Sequence, residues 1–339
     1  MSESTLGRLP AIVVSSRLTL AGSLLLGAGL VWQQIRPEAG AWAVTLSLLV
    51  LGTNLLAALL WDKRLRGHPA LFLFHVGLLL IGVLAGWGQL AEFKGRLVLA
   101  EGQQFHPSLV ETVEHGPMHP SLPQEGRFRQ GAVAVDYRAG MHRGRTHSQL
   151  RFADGRDVHV GDDIPLLVDG YRFYTTSNKG FAAYLEWTSS DGTVELGVVH
   201  LPSYPIREMT QFNRWRTPAG EDLEFSLDLP VIERGQDWRL SRDVARETPL
   251  LIRAAGKTWQ LAPGERLAMG GGSLCFMDVG LWLGYRVHHD PALPWLFSAA
   301  LITLATLAWF LVSTWTRERA RQASSQQVLR RSWAKAVGL

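Results

Sequence analysis

Apolar residues are concentrated in four long runs rather than spread evenly along the chain. Each run approaches the roughly 20 mainly apolar residues that an α-helix needs to cross about 30 Å of membrane hydrocarbon. The runs occupy residues 18–35, 41–61, 70–90 and 294–315. Three near the start and one near the end predict four transmembrane helices in a 3+1 arrangement. We interpret the first run as a retained helix, because two further runs follow it closely and no small-residue cleavage pattern precedes a mature domain.

Between the third and fourth runs, over residues 91–293, the spacing of apolar positions is that of β-strands. Short segments rich in aromatic and β-branched residues alternate with Asp-Gly turn signals at 154–155, 169–170 and 191–192. Glycines at 270–272 indicate a further loop, and the proline- and glycine-containing segment 111–129 is predicted to be irregular. We therefore expect an antiparallel, mostly-β, sandwich-like domain.

Basic residues lie mainly beside the predicted helices. The link between the second and third helices is Asp-Lys-Arg-Leu-Arg at 62–66, whereas the link between the first and second is the neutral Arg-Pro-Glu at 36–38. The terminal segment 316–339 carries six basic residues against one acid, namely Arg317, Arg319, Arg321, Arg330, Arg331 and Lys335 against Glu318. The positive-inside rule predicts that segments 1–17 and 316–339 are cytoplasmic and that 91–293 is extracytoplasmic. This bias also explains the formal charge of +4 without a nucleic-acid partner.

The residue types exclude several kinds of chemistry. Cys275 is the only cysteine, so the sequence has no internal disulfide, no CxxC redox pair and no thiolate metal cluster. No Ser-His-Asp set, phosphate-cradling glycine loop or HExxH motif is present, and we predict no catalytic residues. His115 and His119 have the spacing of helical metal ligands, but Gly116 and Pro117 between them argue against a helix, and no metal site is predicted.

His75 is an imidazole inside the third apolar run. A helix beginning near residue 70 places it about 8 Å from the cytoplasmic edge of the membrane. An ionisable group at such a depth marks a candidate functional site. One interpretation is a hydrogen bond that joins neighbouring helices, and the other is a ligand or proton-relay role, since a neutral imidazole suits haem iron as an axial ligand.

Three further histidines are weaker candidates for contact with haem. His68 lies seven positions before His75 and precedes Pro69, so it is either a helix cap or interface residue or a haem contact. His288 and His289 precede the last helix and are either interfacial residues or contacts for haem or a partner. The glycines of the third run, Gly77, Gly82 and Gly86, suit close approach of another helix or of a flat ligand.

Four short motifs resemble, in order and placement, those of the ResB family. They are LFHVGLLLIGVLAG in the third run, LVLAEGQ at 97–103, DGYRFY at 169–174 and HDPALP at 289–294. The resemblance implies a subunit of the System II cytochrome c biogenesis complex in a bacterial cytoplasmic membrane. It implies work with a second membrane protein, CcsA, to carry haem outward for attachment to apocytochrome c, with His75 as a haem contact. Where the family often has Asp-Pro-Gly, this chain has Asp290-Pro291-Ala292.

The resemblance leaves this chain as an accessory subunit rather than an enzyme by itself. Nothing in it matches the tryptophan-rich haem-handling segment of CcsA, and with a single thiol it cannot reduce the apocytochrome cysteines. A rival hypothesis from another class is a membrane-anchored scaffold or sensor that binds a partner through the β domain and holds no cofactor.

Overall fold

The computed structural model describes residues 14–124, 127–140, 142–202, 211–227, 229 and 235–336. The chain forms two compact units. The helical unit comprises residues 1–92, 114–119 and 290–339, and the β unit comprises 93–113 and 120–289. The first thirteen residues of the predicted N-terminal segment 1–17 and the last three of 316–339 lie outside the described residues.

The described helices follow the apolar runs closely. They are α1 Ser16–Ile35, α2 Pro37–Trp61, α3 Lys63–Arg66, α4 Pro69–Ala91 and α5 Leu293–Ala336. In the described part of the chain, four of them are long and apolar enough to cross a membrane, so the prediction of four spans in a 3+1 arrangement is confirmed. The protein is therefore a membrane protein. Helix α5 continues beyond the predicted span to Ala336, because the segment after Trp315 is rich in the helix formers Arg, Ala and Gln and lacks glycine and proline before Gly338.

Local signals explain where the helices begin. The Ser15 side chain caps α1 by accepting from the backbone N–H of Arg17 at 3.2 Å. Asp62 caps α3 in the same way, its carboxylate accepting from the N–H of Arg64 at 2.8 Å. Helices α2 and α4 each start with proline, whose missing N–H costs nothing in the first turn. These capping residues and prolines mark where the helices begin, so only short links separate successive helices.

Polar side chains join the apolar helices in pairs. Thr19 of α1 donates to the Asn54 side chain of α2 at 2.7 Å, and Gln33 of α1 donates to Gln89 of α4 at 2.8 Å. Each such bond contributes on the order of 1 kcal/mol inside a membrane, where water offers no alternative partner. Together they fix the rotation of α1 about its axis.

The glycines of α4 differ in their surroundings. A Cβ at Gly77 would collide with the hydroxyl of Thr303 on α5, so this glycine permits close helix packing. No described atom outside the helix lies within 4 Å of the corresponding positions at Gly82 and Gly86. The close-packing interpretation therefore holds for Gly77, while the other two glycines face open space.

The β unit contains fifteen described strands. They are β1 Phe93–Ala100, β2 Val110–His115, β3 Phe128–Arg138, β4 His142–Phe152, β5 Asp157–Gly161, β6 Leu166–Val168, β7 Tyr171–Ser189, β8 Val194–Pro202, β9 Gln211–Arg216, β10 Asp222–Leu227, β11 Trp238–Leu240, β12 Leu250–Ala254, β13 Lys257–Leu261, β14 Arg266–Met269 and β15 Gly272–His289. The predicted mostly-β domain between the third and fourth spans is confirmed. The prediction of an irregular segment 111–129 is wrong at both ends, where β2 and β3 lie.

The strands form three antiparallel sheets. A seven-stranded sheet has the order β2-β1-β15-β7-β6, with β14 added to β15 and β8 added to β7. Two four-stranded sheets have the orders β13-β12-β10-β9 and β11-β3-β4-β5. The long strands β7 and β15 pair over most of their lengths and contribute fully buried aromatic residues such as Phe181 and Phe276. This pair is the centre of the core.

The Asp-Gly signals mark turns as predicted. Between β6 and β7, Asp169 and Gly170 have φ of 51° and 83°, which suits the two-residue hairpin loop that joins Val168 to Tyr171. Gly271 likewise has a positive φ in the turn between β14 and β15. The left-handed conformation at these positions favours glycine or aspartate.

One lysine is buried in the β unit. Lys179 of β7 is 3% exposed, and its ammonium lies 5.6 Å from the ring centroid of Tyr137 and donates to the Ser177 carbonyl at 3.3 Å. Burial, helped by the nearby Arg143 cation, lowers the pKa of Lys179 from 10.5 to about 8. Burial of the charged amine therefore lowers the free energy of unfolding at neutral pH.

We expect Lys179→Met to stabilise the β unit at pH 7 by up to about 3 kcal/mol, the value of a pKa difference of about 2.5 units. Between pH 8 and 10 the unfolded lysine binds more protons than the folded one, so wild-type stability rises with pH, and the variant loses this rise. Chemical denaturation of the detergent-solubilised chain at several pH values measures both effects. Lys257→Met, at an exposed lysine, is the control, and its stability should still rise between pH 8 and 10. A Lys179→Met variant less stable than the wild type at pH 7 would show that the buried charge of Lys179 does not destabilise the fold.

We expect Gly77→Ala to lower the free energy of unfolding of the helical unit by about 1–3 kcal/mol. The new methyl group would meet Thr303, which is 4% exposed and held by its bond to the Ala299 carbonyl. Gly82→Ala is the matched control on the same helix. Thermal unfolding in detergent should separate the two variants. Equal effects would show that the contact with α5 is not the cause.

Candidate functional site

His75 lies on α4 with one ring nitrogen engaged. Its Nδ1 is 2.7 Å from the backbone carbonyl oxygen of Leu71, one turn earlier. A carbonyl oxygen only accepts, so Nδ1 carries the proton. In the neutral ring, Nε2 therefore bears the lone pair. The hydrogen bond fixes both the tautomer and the direction of the ring.

This arrangement is the one that metal-ligating histidines adopt. Such residues almost always donate the second ring N–H to a carboxylate, backbone carbonyl or water, which orients the ring and raises the basicity of the other nitrogen. The His75 ring is half-buried, and the edge of Phe74 lies against it with ring centroids 5.2 Å apart. The chemistry that the site offers is donation of the Nε2 lone pair to iron or to a proton donor.

Helix geometry aligns His75 with an open stripe of α4. Residues seven positions apart are almost two full turns apart, so His75 and Gly82 share one face of the helix, and Gly86 lies four positions further on that face. No described atom outside the helix lies within 4 Å of a Cβ placed at Gly82 or Gly86, so these two positions of the face are open, while Leu79 also projects from this face. A planar ligand bound to Nε2 would meet no side chain at these two positions.

His68 is the N-cap residue of α4, with Pro69 at the first helical position. A guanidinium nitrogen of Arg317 on α5 lies 3.4 Å from His68 Nδ1. Because arginine only donates, His68 Nδ1 is the acceptor and Nε2 carries the proton. In this state His68 offers no lone pair at Nε2, which fits the cap or interface interpretation.

Basic residues lie close in sequence to His68 and to Arg317, and we call these two segments the basic end of the helical unit. The described residues of this end carry six bases and two acids, namely Lys63, Arg64, Arg66, Arg317, Arg319 and Arg321 with Asp62 and Glu318. Arg319 is stacked on the Trp315 ring at 3.7 Å. The excess of positive charge thus lies two helical turns from His75.

His288 and His289 belong to the β unit, whereas His68 and His75 belong to the helical unit. His289 is 7% exposed, its Nδ1 donates to the Gly170 carbonyl at 3.1 Å, and its ring stacks on Tyr171 at 4.6 Å. These contacts hold the end of β15 against the β6–β7 turn. His288 lies in register with Lys94 and Arg172 of the neighbouring strands.

The His115 and His119 rings lie side by side, with centroids 6.3 Å apart, although no helix joins them. A turn brings them together, anchored by the N–H groups of Gly116 and Met118 on the carbonyls of Glu92 and Leu90. Among the described residues, no group of three or more His, Cys, Asp or Glu side chains is placed to hold a metal ion.

The β unit contains a cavity of about 1080 Å³ between β3, β7, β8, β15 and the loop after β1. Glu101 lies in its wall, and its carboxylate accepts from the backbone N–H groups of Val133 at 2.8 Å and Leu281 at 3.3 Å. Burial raises the pKa of Glu101 against the opposing effect of these bonds. The Tyr184 hydroxyl donates to the Glu101 carbonyl oxygen.

The lining of the cavity also includes a histidine and both members of an ion pair. His200 Nε2 is buried and has no hydrogen-bond partner among the described residues, and burial lowers the pKa of His200. Arg242 pairs with Asp278 at the rim. Sequence reasoning missed this cavity because its lining residues come from segments that are far apart in the chain, as Glu101 and Asp278 are, and share no local pattern.

The chain is similar to two curated proteins, each named "Cytochrome c biogenesis protein CcsB", from Synechococcus elongatus and from a second Synechococcus strain. Each is 23% identical over 263 residues, which is 74% of this chain and 52% of the relative. The chain thus spans about half the length of the curated relatives it matches. No protein-family model matches the chain.

We expect Glu101→Ala to destabilise the β unit by about 2–4 kcal/mol, because two backbone N–H groups at buried residues lose their acceptor. Glu101→Gln keeps one amide oxygen and should lose less than half as much. Denaturant unfolding of the solubilised chain gives the comparison. Equal stability of Glu101→Ala and wild type would mean that water replaces the carboxylate.

Proposed function

We propose that this chain takes part in cytochrome c biogenesis, as a subunit of a membrane complex that delivers haem across the membrane and supports its attachment to apocytochrome c. The observation that carries the proposal is the Nε2 lone pair of His75, which has no hydrogen-bond partner among the described residues and is oriented by the Nδ1 bond to Leu71 within a helix that can span a membrane. The similarity to two CcsB proteins supports the same conclusion.

The residues around His75 fit haem. The imidazole offers a neutral nitrogen of the kind that binds haem iron, and a membrane interior suits the apolar macrocycle. The open positions at Gly82 and Gly86, on the same face of α4 as His75, support the approach of a flat ring there. Haem in this role is cargo, and the part of His75 is to hold its iron during transfer.

Other steps of the process are assigned to other proteins. A CcsA-like membrane protein is the proposed partner, as the ResB resemblance implies. Cys275 is the only thiol in the sequence, so reduction of the apocytochrome cysteines needs an external dithiol. In this proposal both termini face the cytoplasm of a bacterial cell, and the β unit is extracytoplasmic and holds the partner or the apocytochrome.

We expect His75→Ala to lose bound haem or to change its absorption spectrum, because the axial nitrogen is removed. The measurement is the visible spectrum and pyridine haemochrome content of the detergent-purified protein, expressed with its CcsA-like partner. His159→Ala, an exposed histidine of β5, is the control and should bind haem as the wild type does.

A wild-type complex that purifies without haem from cells that make haem freely would overturn the proposal. The scaffold or sensor hypothesis would then explain the fold better, with His75 acting only within the helix. If His75→Ala retains haem with an unchanged spectrum, another residue is the iron ligand.

A further inference from the structure

We propose that the outer edge of β8 binds an extended segment of a partner polypeptide by antiparallel strand addition, with basic side chains of that segment facing Glu195. The inference goes beyond the proposed function and does not rest on it. All the residues that carry it belong to the β unit.

Strand β8, Val194–Pro202, lies at an edge of the seven-stranded sheet. It pairs with β7, and no other described strand pairs with it. It spans nine residues, whereas the other edge strands of the described sheets span three to six. Natural proteins usually protect a long apolar edge with lysine, proline or a bulge, and β8 has none of these before Pro202.

The pairing of β15, β7 and β8 determines which backbone groups face outward. The Leu281 carbonyl of β15 is hydrogen-bonded on the side away from β7. Because the groups of antiparallel strands alternate in direction, Phe181, opposite Leu281, faces β8, and Leu201, opposite Phe181, faces β7. The next residue, His200, therefore faces outward, and its carbonyl oxygen accepts from the Asn213 side chain of β9 at 2.6 Å.

The same alternation turns the backbone groups of Val194, Leu196 and Val198 outward. No described residue bonds to these groups on the outer side. Leu196 is 73% exposed and Val194 is 55% exposed, and a Cβ placed at Gly197 would have no atom within 4 Å. A partner chain in the extended conformation supplies both the backbone groups and the apolar contacts that this edge lacks.

Cavities lie on both faces of the strand. On one face, Val198 and its β7 neighbour Tyr184 line the cavity of about 1080 Å³. On the other face, Glu195, its β7 neighbour Trp187 and Trp215 of β9 line a cavity of about 180 Å³. Side chains of an extended chain alternate between two faces with the same period, so a segment paired with β8 would direct successive side chains to the two cavities.

Charge determines the chemistry of the segment in the smaller cavity. Glu195 is exposed and forms no ion pair with another described residue. Trp187 and Trp215 lie beside it, with ring centroids 6.0 Å apart. A lysine or arginine can pack its aliphatic stem on indole rings and place its cation near a carboxylate.

The larger cavity also favours a basic or apolar segment over an acidic one. Its lining carries three carboxylates against two guanidinium groups, namely Glu101, Asp243 and Asp278 against Arg239 and Arg242. Both arginines are already paired, Arg239 with Asp136 and Arg242 with Asp278. An acidic side chain there would therefore meet carboxylates without an unpaired cation.

A second copy of this chain is a poorer occupant of the edge. A twofold axis near Leu196 would pair β8 with β8 and bring two Glu195 carboxylates close together on one face. Like charges on neighbouring strands oppose such pairing.

The test is the binding of labelled peptides of about eight residues to the detergent-purified chain, followed by fluorescence anisotropy. The probe alternates valine and lysine. In one control peptide the valines, whose N–H groups would face β8 when the lysines face Glu195, are N-methylated. In a second control peptide glutamate replaces lysine.

We expect the wild type to bind the probe at least about tenfold more tightly than either control peptide, because each control loses backbone hydrogen bonds or charge complementarity. Leu196→Pro removes an outward N–H and should weaken probe binding by a similar factor, whereas Leu196→Thr keeps the N–H and most of the binding. Glu195→Gln should reduce the preference for the basic peptide. Glu247→Gln, at an exposed carboxylate outside β8, is the matched control and should behave as the wild type.

Several results would overturn the proposal. They are absence of probe binding to the wild type, equal binding of the N-methylated peptide, and undiminished binding to Leu196→Pro. A wild type that binds no probe and forms a dimer abolished by Leu196→Pro would assign the edge to a second copy instead. The peptide comparison needs no variant, so it holds even if Leu196→Pro does not fold, and it is independent of haem.

Discussion

The helical unit is governed by the absence of water in membrane hydrocarbon. A polar group there must find a partner in the protein, and a helix satisfies its own backbone groups. The same constraint explains why Thr19 pairs with Asn54 and Gln33 with Gln89. His75 meets it at Nδ1 only, through the Leu71 carbonyl, and leaves Nε2 without a described hydrogen bond. A ligand bound to Nε2 would give this polar atom the partner that the fold does not provide.

Water sets a different constraint in the β unit, where the sheets pack through apolar faces and one set of buried polar groups is linked by hydrogen bonds. The Tyr285 hydroxyl of β15 donates to Gln130 of β3 at 2.6 Å and lies 2.7 Å from the Ser148 hydroxyl of β4. The bond from Gln130 to Ser148 at 2.9 Å closes the set. These contacts join the seven-stranded sheet to a neighbouring sheet, and because each group has a partner they favour one register over others.

Sequence patterns predicted the four long helices and the β-rich character of the domain between them, because both depend on local periodicity. They failed where the outcome depended on neighbours distant in sequence. Gly77 and Gly82 are both glycines of the same apolar run, and the sequence does not show which of them contacts another helix. In the structure Gly77 packs against Thr303, and Gly82 faces open space. His75 was predicted from the sequence because a single histidine in an apolar run is unusual. His200 lies in a strand of ordinary composition, and only the structure shows that its Nε2 is buried. The state of His68 likewise depends on Arg317, 249 residues away.

The position of His75 along α4 has a physical explanation under the proposed function. Haem is apolar over most of its area and anionic at one edge, so a membrane site suits it where hydrocarbon lies close to water, polar groups or cations. A histidine in the middle of α4 would leave the carboxylates without cations, and one at the helix start would leave the macrocycle in water. His75 lies between these limits, two turns from the cations around His68 and two turns from the open surface at Gly82.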